Sequence, residues 1–118
     1  MKGRESDWKR FRMLRVVALE RFCERTLGRV SELCGDSEHT FHDRYGEVYG
    51  FIQESDKQIA ICFDDPRRSK ADLQLAAMYV RDLVSEEELD EFTEETSRMA
   101  RELVGRTIFS NDEGPSHD

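Results

Sequence analysis

The chain has 118 residues, 37% of them hydrophobic and 37% charged, and a net charge of −8. That length supports one hydrophobic core and not two, which excludes a multidomain assembly within the chain. No apolar run approaches the roughly 18 to 20 residues that cross a bilayer, and MKGRESDWKRFR lacks the apolar core of a signal peptide, so a cytoplasmic protein with no membrane contact is expected.

The apolar residues fall in periodic blocks, and no strand-like alternation of useful length appears, so the fold class expected is all-α. Residues 1–6 are expected to be a disordered N-terminus, 7–109 a single helical domain and 110–118 a disordered tail. From Asp7 to Cys34 there is no proline, and Val16, Leu19, Phe22, Cys23, Thr26, Val30, Leu33 and Cys34 fall on one face of a helix. Gly35 suits its end, and Asp36, Ser37 and Thr40 are turn or cap residues.

A second helix is predicted from Phe41 to Phe63, with an apolar line of Phe41, Tyr45, Val48, Ile52, Ile59 and Phe63. Gly46 and Gly50, four apart on its flank, each cost roughly 1 kcal/mol against alanine, which favours the close approach of another helix there. The third helix, Pro66 to Leu83, places Leu73, expected in the core, with Ala76, Ala77, Val80, Leu83 and Val84 on one face and Ala71, Leu75 and Met78 on the other. A helix apolar on two faces is either central or meets a partner.

Ser85 followed by Glu88 is a capping box, which starts a short helix over Glu86–Phe92. Thr93 caps again, starting a helix over Glu94–Val104 that Gly105 is expected to stop, and Ile108 and Phe109 are available to dock on the body. The architecture expected is therefore a small antiparallel bundle of about four main helices, the last open to a split.

Within FDDPRRSKADLQL, Asp65 is suited to the N-cap and Pro66 to the first helical position. Arg67 and Arg68 are less easily explained, because cations in a first turn oppose the helix dipole. Asp64 and Asp72 lie within local reach of them, which makes a solvated ion-pair cluster the plain account. The functional account offers both guanidinium forks to an anionic partner.

The charge is uneven. Residues 1–30 hold nine Lys and Arg against four Asp and Glu, a net +5, so the remainder carries −13. Such asymmetry points to a nucleic-acid contact through the basic part or to pairing of a basic helix with an acidic one. Arg21, Arg25 and Arg29 form a ridge, and Trp8, Arg12 and Arg15 lie on the extension of the apolar line where the first turns project past the core, so this basic helix would follow a phosphate backbone with Trp8 stacking on a base. Local acids Glu24 and Glu32, and the acidic segment 85–95, could instead neutralise the ridge.

Other chemistry finds little support. His39 and His42 beside Cys34, Asp36, Glu38 and Asp43 include zinc-ligand types, but without CxxC or HExxH spacing no metal site is assigned. Cys23, Cys34 and Cys62 are flanked by apolar residues and read as small buried hydrophobes in a reducing compartment. No GxSxG, GxGxxG or P-loop occurs, so no catalytic residue, cofactor or small-molecule substrate is assigned and the chain is expected not to be an enzyme. The function expected is a protein-interaction or regulatory module, a homodimer or the subunit of a complex, with Leu75 and Met78 flanked by Arg67 and Arg68 as the contact. The alternative is a nucleic-acid-binding protein that uses the basic N-terminal helix.

Overall fold

The computed structural model describes Met1 and residues 3–112, with side chains as far as Val104. The described chain is an all-α bundle of five helices: α1 Glu5–Cys34, α2 Phe41–Phe63, α3 Arg68–Val80, α4 Glu86–Asp90 and α5 Glu94–Asp112. The local signals behave largely as their chemistry dictates. Thr40 caps α2 by accepting from the Asp43 N–H at 3.0 Å. Ser85 and Glu88 close both arms of the capping box at 3.0 and 2.9 Å.

Four boundaries differ from expectation. Asp65 and Pro66 are not the cap and first residue of α3: Asp65 sits in the left-handed region at φ 50° within the α2–α3 turn, and the helix starts at Arg68 after an extended Arg67. Reversing the chain in four residues between α2 and α3 uses up the positions that would otherwise have begun a helix. At its other end α3 stops at Val80, before the expected Leu83. Asp82 at φ 60° lets the Leu83 N–H reach the Met78 carbonyl (2.9 Å) and its own N–H reach that of Tyr79 (3.0 Å), a Schellman closure with aspartate where glycine is usual. The short helix α4 ends at Asp90 where the capping box was expected to carry it to Phe92, because the Glu91 and Phe92 N–H groups bond three residues back to Glu88 and Leu89 in a turn. Gly105 does not stop α5, because a glycine costs only about 1 kcal/mol within a helix and ends one only where the chain also turns away. The side chains of Ile108 and Phe109, and the tail from residue 113, lie outside the described residues.

The N-terminal residues also depart from the expected disorder. Met1 is buried, its nitrogen lies 2.7 Å from an Asp72 carboxylate oxygen, and Arg4 reaches the same carboxylate at 3.3 Å. The start of the chain is thereby strapped to α3.

α3 is the central helix. Ala71 and the run Gln74, Leu75, Ala76, Ala77 and Met78 are all buried, because α5 packs along one side and α1 and α2 along the others. Around it close Phe11, Leu14 and Ala18 of α1, Cys62 and Phe63 of α2, then Leu83, Val84, Leu89, Phe92 and Ala100. This body uses only the first half of α1 and the last turns of α2. Beyond Ala18 α1 has no buried residue, and before Ser55 α2 has none. The remaining halves of the two helices run on as an arm, and the molecule measures 54 × 33 × 23 Å.

Gly46 and Gly50 lie on this arm. A Cβ added at either would meet nothing within 4 Å, so the close helix approach expected there is not supplied by the described residues.

Candidate functional site

The expected partner contact on α3 is absent. Leu75 and Met78 are fully buried, whereas Leu73, expected in the core, is 52% exposed. Because α3 is covered on nearly every side, its two apolar faces record burial within the monomer. Arg67 and Arg68 are locally engaged: Arg67 pairs with Asp65 at 2.6 Å, and Arg68 pairs with Glu5 at 2.6 Å while its guanidinium lies 5.5 Å from the Trp8 ring centre. The Arg67 pair holds the Asp65 carboxyl below its ordinary range, chiefly by that hydrogen bond. The plain account of these arginines holds, with Asp65 and Glu5 as partners in place of Asp64 and Asp72.

The basic face of α1 is engaged as well, and with a common pattern. Arg15 donates to the Phe63 carbonyl at 2.5 Å, at the C-terminus of α2. Arg21 donates to the Leu83 carbonyl at 2.9 Å, and Arg25 to those of Arg81 and Asp82 at 3.0 and 2.5 Å, all just past the C-terminus of α3. Arg44 of α2 returns the service to α1, donating to the Cys34 carbonyl at 3.0 Å. None of α1, α2 and α3 has a basic residue in its own last turn, so arginines from neighbouring helices answer their free carbonyls and negative dipole ends.

Arg21 also forms a two-pronged pair with Glu88 at 2.7 and 2.8 Å, which with the Ser85 N–H draws the Glu88 carboxyl down to about 2. Arg29 pairs with Glu32 at 3.0 Å. Trp8 stacks on Phe11 with centroids 5.8 Å apart and is packed against the core. Of the six residues of the expected nucleic-acid surface, Arg12 alone lacks a partner among the described residues.

Among the described residues no three of His, Cys, Asp and Glu converge as metal ligands. His39 closes on Asp36 at 2.8 Å within the α1–α2 turn. The Asp36 carboxyl is held low, first by the Glu38 N–H and then by His39, which is how a turn is built. Of the cysteines expected to be buried only Cys62 is so, its thiol pushed up by burial; Cys23 is half-buried and Cys34 exposed at the arm's end.

Among the described residues, one side of the arm is left unpartnered. The side facing the body is marked by a cavity of about 280 Å³ lined in part by Phe22 and Thr26 of α1 and by Phe51 and Ser55 of α2. Crossing the line where the helices touch, about 100–140° round α1 from Phe22 lie Val16, Cys23 and Leu27. A similar angle round α2 from Phe51 brings up Phe41, Tyr45, Ile52 and, slightly further, Tyr49. Because the helices run antiparallel, both rotations lead to the same outer face.

That face is apolar and open. Phe41 is 83% exposed, Tyr45 70%, Leu27 65%, Val16 64% and Tyr49 58%. Reading the sequence placed Val16, Phe41, Tyr45 and Ile52 on apolar stripes without separating their exposed members from their buried ones, and it passed over Leu27 and Tyr49. Leu27, four residues on from Cys23 and three before Val30, was the available signal. A second exposed apolar spot, Met13 and Val17 over a cavity of about 640 Å³, is rimmed by Lys9, Arg10, Glu88 and Glu91 and is smaller.

No family model matches the chain, and comparison with curated proteins and with solved structures finds no match to it.

Proposed function

We propose that the chain is a non-catalytic protein-interaction module whose contact surface is the outer face of the arm. One observation carries this reading: beyond Glu20 and Asp56 at the root of the arm, two adjacent helices present an uncharged apolar face, with Phe41, Tyr45 and Leu27 each about two-thirds exposed or more, in a chain that is 37% charged. Isolated exposed hydrophobes need no explanation, but a contiguous face rich in aromatics has the composition of an interface centre. The body supports the arm by locking the roots of both helices, with Arg15, Arg21 and Arg25 fastening α1 to the ends of α2 and α3. Three free cysteines, one of them exposed, suit a reducing compartment such as the cytoplasm.

Affinity capture with the full chain tests the reading through paired variants. Leu27→Glu with Tyr45→Glu changes the outer face, and Leu73→Glu changes an exposed leucine on α3 as a control. Captured proteins or copies of the chain should be lost with the first variant and retained with the second. An identical captured set for all three forms would remove the arm from the function.

A further inference from the structure

We infer that the occupant of the outer face is a second copy of this chain, the two arms packing face to face as a four-helix bundle. The inference rests on the interaction reading above and adds the identity of the partner.

Three features of the face favour a copy of itself. The first is spacing. Val16, Cys23, Leu27 and Val30 recur at intervals of seven, four and three, and Phe41, Tyr45, Tyr49 and Ile52 at four, four and three. This is the periodicity by which helices of a four-helix bundle interlock, so the surface that fits a two-helix face is another pair of antiparallel helices. The chain itself supplies such a pair.

The second is charge. The outer part of the face, from Cys23 and Leu27 on α1 to Phe41, Tyr45, Tyr49 and Ile52 on α2, carries none; Glu20 and Asp56 share its angular range only at the root of the arm. A different partner selected by charge complementarity would leave complementary charges within the contact. An uncharged apolar face meeting its own image has no like-charge penalty at its centre, and homodimer contacts are the most apolar of protein interfaces. A two-fold axis makes one such patch sufficient for both partners.

The third is area. From Val16 to Cys34 α1 rises about 28 Å, and two helices side by side are about 20 Å across, giving a planar footprint of about 560 Å² on each protomer. The accessible surface of a ridged face exceeds its footprint, so the pair would bury well over about 1,000 Å² in total, the size at which specific dimers become stable.

Sedimentation equilibrium of the full chain between about 5 and 100 μM, with light scattering as a second mass measurement, tests the inference. The expected mass is twice the 13.8 kDa of one chain. Leu27→Glu with Tyr45→Glu should weaken dimerisation at least about 100-fold while the far-ultraviolet circular dichroism stays unchanged, and Leu73→Glu should leave the dimer intact. Concentration-dependent amide chemical shifts should fall within residues 16–34 and 41–59. A wild-type chain that is monomeric at 100 μM overturns the inference, as does a dimer that the double variant leaves intact or shifts confined to another surface. If the chain is monomeric yet captures another protein through the arm, the second copy is excluded and the interaction reading stands; if it is monomeric and captures nothing through the arm, both fall.

Discussion

Asp7 is a buried carboxylate, 1% exposed, in the first turn of α1. It reaches across the bundle to the start of α5, accepting from the Thr93 N–H at 3.0 Å, the Thr93 hydroxyl at 2.7 Å and the Thr96 hydroxyl at 2.6 Å, with Arg4 3.5 Å away. Burial pushes its carboxyl up, but the hydrogen bonds from Thr96 and Thr93 and the charge of Arg4 outweigh that and hold it below the ordinary carboxylate value. Asp7→Ala removes three charge-assisted hydrogen bonds at once and strands the hydroxyl of Thr96, which has no exposure. A hydrogen bond to a charged group contributes ~1.5–3 kcal/mol net and a stranded buried hydroxyl costs ~1–3 kcal/mol, and because the three bonds share one carboxylate they do not add fully. The expected loss is ~3–4 kcal/mol. Asp7→Asn, which keeps one acceptor oxygen but turns an N–H₂ toward the threonine hydroxyls, should lose ~2 kcal/mol. Urea unfolding followed by circular dichroism, with Glu24→Ala as a surface control, measures both. Since the folded-state carboxyl is depressed, its stabilisation is complete above the unfolded value near 3.8 and is lost as pH falls through the lower folded value. The Asp7→Asn curve should therefore be flatter than wild type below pH 4. A loss under about 0.5 kcal/mol for Asp7→Ala would refute the assignment of Asp7 as the clamp between α1 and α5.

The same reasoning extends to three other sites. Leu75→Ala should cost ~2–5 kcal/mol and Leu73→Ala less than about 0.5 kcal/mol, and equal effects on thermal unfolding would contradict the placement of α3. Arg21→Met should cost ~1 kcal/mol at neutral pH, the pair with Glu88 being partly exposed. Because the Glu88 carboxyl is lowered from 4.5 to about 2, the part of that difference due to Glu88 should persist above pH 4.5 and shrink as pH falls to 2, leaving the pH-independent bond to the Leu83 carbonyl, a trend that stability curves across acid pH can confirm or deny. Asp82→Gly should gain ~0.5–1 kcal/mol by relieving a left-handed aspartate in the α3 closure, and a lower melting temperature would mean that the aspartate side chain has a role the backbone geometry does not reveal.

Those sites also mark where the fold was legible in the sequence. Thr40 and the Ser85–Glu88 box were readable because a cap bonds to its own helix within three residues. The phase of α3 was not, since a helix covered on nearly every side carries apolar residues on two faces and periodicity cannot rank them. Asp65 was misread because an Asp-Pro pair serves a helix start and a tight turn equally well, and only the short path from α2 decides between them. Asp7 had no signal at all, because its partners lie 86 and 89 residues away. Of the candidate site, the stripes on the first two helices were legible as stripes. Periodicity reveals that a face needs cover, and it does not say that the same chain provides it.

That distinction also accounts for the charge asymmetry. A basic first helix in an acidic chain resembles a nucleic-acid surface when its arginines are counted, and it acquires a different meaning once their acceptors are known. Arg15, Arg21 and Arg25 end on backbone carbonyls at the C-termini of α2 and α3, helices that carry no cation of their own there. Arg10 and Arg21 meet Glu91 and Glu88 of the acidic segment. A phosphate backbone would have to compete with these partners, and releasing Arg21 would leave the Glu88 carboxylate without its main counter-charge. Arg15, Arg21 and Arg25 thus fasten the first helix to the ends of α2 and α3, and among the described residues the feature of the arm left without an internal partner is its apolar outer face.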